Sequence, residues 1–184
     1  MKHHLAGVIS FIALPIWIPV FISLLIQQGI LMGICSSVVL LFLILAYKKI
    51  GLIHSVHLST RSERLLPLAT SLVIYLVFSS ITWYYSIKIH DIFLLAAITV
   101  LGLYILSLWD KVSIHVGGTV AGCMWIIERY QWRITSIFLA IGTLTLVIWA
   151  RMYLKAHTGR QIVSGGIVGA VSYFIFYLMH ILLC

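Results

Sequence analysis

Seven apolar stretches, at about 5–26, 30–47, 67–87, 91–109, 114–128, 134–150 and 162–183, take up most of this 184-residue chain. A helix that crosses a bilayer needs about 20 consecutive apolar residues. Most of these stretches meet that length, and the breaks between them are short. The longest polar segment runs only from Lys48 to Arg64. Charged residues make up 9% of the chain, against about 25% in a soluble domain. The expected fold is therefore all-α: a polytopic membrane helical bundle of six to seven transmembrane helices, forming one domain over 1–184 with no room for a soluble module.

The first stretch is too long for the apolar core of a signal peptide, and no small-residue cleavage site follows it. It is expected to be the first span, kinked at Pro15 and Pro19. Gln27, Gln28 and Gly29 are expected to form a tight turn after it. The 114–128 stretch is short and glycine-rich and runs into Glu128 and Arg129, so a short or tilted helix is expected there. Gly118 with Gly122, and Gly165 with Gly169, are small-x-x-x-small pairs that let helix backbones approach closely. Cys35, Cys123 and Cys184 each sit in an apolar stretch and read as small hydrophobes.

Charge inside a membrane is costly, so its placement is informative. Nine of the twelve Lys and Arg fall in four places: Lys2; Lys48, Lys49, Arg61 and Arg64; Lys111; and Arg151, Lys155 and Arg160. If all seven stretches cross, these four places share one membrane face, and only Lys88, Arg129 and Arg133 lie on the other. Such a distribution is partly the snorkelling and positive-inside pattern of ordinary membrane proteins. Histidines His54, His57, His115 and His157 fall on the base-rich face as well. The formal charge of +8 lies between apolar stretches, which favours lipid headgroups or a phosphorylated substrate over nucleic acid.

Three segments concentrate residues suited to phosphate chemistry. In the third, from Ala150 to Gly169, Arg151 and His157 are six apart and Gln161 follows four residues on. Arginine donates several hydrogen bonds from a planar fork. Histidine attacks phosphorus well when its other ring nitrogen is held by an acceptor, and an acceptor four residues along a helix lies on the same face. In the middle segment, Lys111 to Gly118, Ser113 and His115 stand where an apolar helix begins. Serine favours the N-cap, and N–H groups at a helix start bind phosphate oxygens. The first segment, His57 to Pro67, holds His57, Arg61 and Arg64, with Pro67 expected in the first turn of a helix. Glu63 is expected to be exposed, paired with a neighbouring base and without a role of its own.

Taken in order, these segments resemble the three-part signature of the type 2 phosphatidic acid phosphatase superfamily, which also contains bacterial isoprenyl-diphosphate phosphatases and vanadium haloperoxidases. That signature reads K-x-x-x-x-x-x-R-P, then P-S-G-H, then S-R-x-x-x-x-x-H-x-x-x-D. His57 and Arg64 have the spacing of the first part, Ser113 and His115 match the second, and Arg151 and His157 match the third. The resemblance spans Lys48 to the C-terminus. His57 stands in place of the lysine, Leu65 in place of the proline, Val112 and Ile114 around Ser113, Ala150 before Arg151, and Gln161 in place of the aspartate.

The resemblance implies a phosphatase that needs neither metal nor organic cofactor and acts on a lipid phosphate or isoprenyl (di)phosphate. His157 would be the nucleophile, His115 the acid that protonates the leaving oxygen, and Gln161 the partner of His157. His57, Arg61, Arg64, Ser113 and Arg151 would hold the phosphoryl oxygens. The expected location is the cytoplasmic membrane of a prokaryote. Two other classes stay open at this stage: a non-catalytic lipid-phosphate binder or transporter, and a membrane haem protein with histidines as axial ligands.

Overall fold

The computed structural model describes residues 5–9, 19–21, 29–54, 60–87 and 89–183, and no strand occurs among them. Six long helices account for most of these residues: α1 (Ile30–Lys49), α2 (Ser62–Tyr84), α3 (His90–Ser107), α4 (Ile114–Arg129), α5 (Ile134–Tyr153) and α6 (Gly159–Leu183). They correspond to the last six apolar stretches. The first stretch, with Pro15, Gln27 and Gln28, lies largely outside the described residues, as does His57. Five helices, α1, α2, α3, α5 and α6, are long and apolar enough to cross a membrane. Their sides carry bare apolar residues such as Leu31, Phe42, Val73, Phe138, Val163 and Ile167, a surface that lipid satisfies and water does not. This is the build of a multi-pass membrane protein.

The chain forms two compact units, one of Pro19–Lys111 and one of Met1–Ile18 with Val112–Cys184. In the first unit α2 and α3 form an antiparallel hairpin, and α1 packs against α2. Aromatic rings fill the hairpin seam: Phe93 lies 5.4 Å from Phe78 and 6.4 Å from Tyr75, centroid to centroid. Gly29 starts α1 with φ +64°, and a Cβ there would meet the Ile89 side chain at 2.7 Å. Glycine is required at that position on both counts.

Two expectations about α2 are corrected. The helix starts at Ser62, so Pro67 sits in its second turn rather than its first. Proline has no N–H and leaves the bond to the residue four before it unmade; here that residue is Glu63. The helix starts early because residues 61–66 contain no helix breaker, and that turn carries Arg64 into a buried position. Glu63 is also buried rather than exposed. Its carboxylate accepts the His54 backbone N–H at 3.1 Å and the Thr60 N–H at 3.5 Å, and it pairs with the His54 ring. A carboxylate taken out of solvent needs such partners. Glu63 thus ties together two points of the α1–α2 connection that lie six residues apart.

In the second unit α4 and α5 form a hairpin through residues 130–133. A short connection then returns the chain to α6. Helix α4 has 16 residues and spans about 24 Å, less than the ~30 Å hydrocarbon core. It is enclosed along much of its length, burying Val116, Gly117, Thr119, Ala121, Gly122 and Trp125. The Gly165–Gly169 pair explains how α6 fits against it. A Cβ on Gly165 would lie 2.5 Å from the Ser113 carbonyl oxygen, and one on Gly169 would lie 2.3 Å from the Gly117 carbonyl oxygen. The two helices run parallel, in contact backbone to backbone, and only glycine permits that separation.

Candidate functional site

Helix α4 begins at a true serine cap. Ser113 has an extended backbone, and its hydroxyl accepts the Val116 N–H at 3.4 Å. Ser113 is fully buried, and His115 in the first turn is 4% exposed. Val116 packs with Val147 of α5 and Ile162 of α6 in one apolar cluster. These three contacts set the end of the unit. Val116 adjoins His115, Val147 lies one turn before Arg151 on the same face, and Ile162 adjoins Gln161. Arg151 closes α5, 2% exposed.

The α5–α6 connection carries His157, which is buried. His157 precedes α6 instead of lying on it, since the helix begins at Gly159. Its contact with Gln161 is made all the same, because the glutamine reaches back from the first turn: His157 Nδ1 lies 3.2 Å from Gln161 Oε1. The same oxygen accepts the Thr158 backbone N–H at 3.2 Å, and the Gln161 N–H donates to Thr158 Oγ1 at 3.4 Å. That reciprocal pair is a capping box. The sequence carries its pattern, Thr158-x-x-Gln161, so Thr158 was legible as a cap although phosphate chemistry did not point to it.

A main-chain bond joins the middle and third segments. Ser113 N–H donates to the Gln161 carbonyl oxygen at 3.1 Å. The start of α4, the end of α5 and the start of α6 therefore lie at one end of this unit. Ser113, His115, Arg151, His157 and Gln161 all belong to that end, although His115 and Arg151 are 36 residues apart in the chain and the directly bonded Ser113 and Gln161 are 48 apart.

In the first unit Arg61 is exposed and donates from Nη1 to the Trp109 carbonyl oxygen at 3.0 Å. That carbonyl lies just past the end of α3, where unsatisfied carbonyls favour a cation. Arg64 is 1% exposed, within the first turn of α2. Scans of family models, of curated proteins and of solved structures find nothing that matches this chain.

Proposed function

We propose that the chain is a membrane-embedded, metal-independent phosphatase. It hydrolyses a lipid phosphate or isoprenyl (di)phosphate through a phosphohistidine on His157, and it forms a divergent branch of the type 2 phosphatidic acid phosphatase superfamily. The observation that carries this reading is the meeting of the Ser113–His115 and Arg151–His157–Gln161 segments at one end of a helical unit, joined by the Ser113 N–H bond to Gln161. Two segments far apart in sequence bring an arginine, a capped helix start and two buried histidines to the same end of that unit.

The chemistry follows from the groups. His157 Nε2 attacks phosphorus, and the bond from phosphorus to the leaving oxygen breaks. His115 gives that oxygen its proton and then takes one from water. The water oxygen attacks phosphorus, the P–N bond breaks, and inorganic phosphate leaves with His157 regenerated. Arg151 and the α4 N-terminus carry charge on the phosphoryl oxygens, which is where most of the stabilisation of phosphoryl transfer lies. We assign His57, Arg61 and Arg64 to phosphate binding on the sequence pattern alone. The proposed setting is six to seven spans in a prokaryotic cytoplasmic membrane, with the site at helix ends and the substrate tail in the bilayer.

The test is phosphate release from a lipid phosphate in mixed micelles. Wild type should release it, and His157→Ala should lose turnover entirely while still binding substrate. Binding without release by the wild type would favour the non-catalytic lipid-phosphate binder, to which the neutral Gln161 partner is also suited.

A further inference from the structure

We propose that Thr158 is a positioning residue, and that the capping box it forms with Gln161 locks the tautomer of His157. The mechanistic consequence rests on the phosphatase reading above; the tautomer itself does not. A glutamine side chain presents an oxygen that accepts and a nitrogen that donates, and the two are told apart only by their partners. The backbone N–H of Thr158 is an obligatory donor, and it lies 3.2 Å from the outer atom of Gln161 that also faces His157. That atom must therefore be the oxygen. His157 Nδ1 lies 3.2 Å from the same atom, and an amide oxygen has no proton to give. The Nδ1 position must carry the proton, and the neutral ring keeps its lone pair on Nε2.

The lock depends on Thr158 in two ways. Its N–H fixes which end of the amide faces the ring. Its hydroxyl accepts the Gln161 N–H at 3.4 Å and so holds the first turn of α6, from which the amide reaches back. Thr158 is exposed, so its methyl group packs against little, and its contribution is the hydroxyl and the N–H. The second unit then uses one glutamine for three jobs. Its side chain caps α6 and orients His157, while its main-chain carbonyl receives Ser113 N–H at 3.1 Å. Disturbing the cap disturbs the aim of His157 at its root.

The test is nitrogen-15 NMR of the full-length protein in detergent, labelled at histidine, with His157→Gln to assign the signal. Wild-type His157 should show the Nδ1–H tautomer at pH values where it is neutral. Thr158→Val should shift it toward a mixture with the Nε2–H form, and Thr158→Ser should restore it. Turnover should fall about five-fold in Thr158→Val, the size of a lost helix cap, and recover in Thr158→Ser. A wild-type His157 held as Nε2–H overturns the inference. So does a Thr158→Val spectrum identical to wild type, or a Thr158→Ser variant that behaves like Thr158→Val. A wild type that releases no phosphate from any lipid phosphate removes the enzymatic reading and leaves the spectroscopic result standing by itself.

Discussion

Gln161 offers a neutral amide where, on the proposed mechanism, a carboxylate would be the stronger partner for a histidine that becomes cationic on phosphorylation. With His157 in the proposed tautomer it accepts a hydrogen bond from Nδ1, but it contributes no charge to stabilise the ring. Gln161→Ala should lower turnover ~10- to 100-fold, the size of losing an orienting partner behind a reacting group. Gln161→Glu keeps the side-chain length, so it retains the bond to Thr158 N–H and adds the missing charge. Its turnover should equal or exceed that of wild type. Steady-state phosphate release by the two variants checks both expectations, and a Gln161→Ala enzyme as fast as wild type would separate Gln161 from the chemistry. Some of this was readable beforehand. The spacing of His157 and Gln161 pointed to a contact between the two, and that contact exists. Its manner was not readable, because the helix begins two residues after His157 rather than before it. The burial of Glu63 was not readable either, since besides the His54 ring its partners are the N–H groups of His54 and Thr60, and main-chain donors leave no mark in a sequence.

The pairing of α4 with α6 shows how element packing positions the site. Gly165 and Gly169 face carbonyl oxygens of α4, so a methyl at either position forces the backbones apart. Gly142 lies exposed in α5, with nothing within 4 Å of where its Cβ would be. Gly165→Ala and Gly169→Ala should each cost about 1–3 kcal/mol, the usual size of overpacking. Gly142→Ala should be neutral or stabilise by up to ~1 kcal/mol, because alanine is the better helix former. Unfolding of the three variants in detergent, compared side by side, checks this. Equal effects at all three positions would mean that α4 and α6 are not in backbone contact. Spacing alone marked the Gly165–Gly169 pair; what it packs against was not in the pattern, because a small-x-x-x-small pair does not name its partner. Helix α2 was misjudged at its start for a related reason. Pro67 favours a first turn in general, but the preceding residues can extend a helix backwards when Glu63 accepts the His54 and Thr60 N–H groups and so holds its own connection.

At the scale of the whole molecule, hydropathy made the class of protein plain: among the described residues six of the apolar stretches form long helices, and five of these are long and apolar enough to span. The division into two units was not legible, because the breakpoint after Lys111 falls in a short connection with no linker composition. Within each unit the hairpins set sidedness. In the second, position 158 and the α4–α5 turn at position 131 lie at opposite ends; in the first, positions 60 and 109 lie opposite position 85. Single cysteines at these sites, with Cys35, Cys123 and Cys184 replaced by serine, should label from opposite sides of sealed vesicles within each set. The charge pattern along the sequence further expects positions 60 and 158 to label from a common side. Labelling of 158 and 131 from the same side would remove the span assigned to α5.

The phosphoenzyme is the most direct test of the central claim. Purified protein is mixed with a lipid phosphate labelled at phosphorus, quenched within the turnover time, and examined for protein-bound phosphate. The account predicts label that survives base, is lost in acid, and maps to His157, with none on His157→Ala. Turnover by the wild type with no such label, or label retained in His157→Ala, would contradict it.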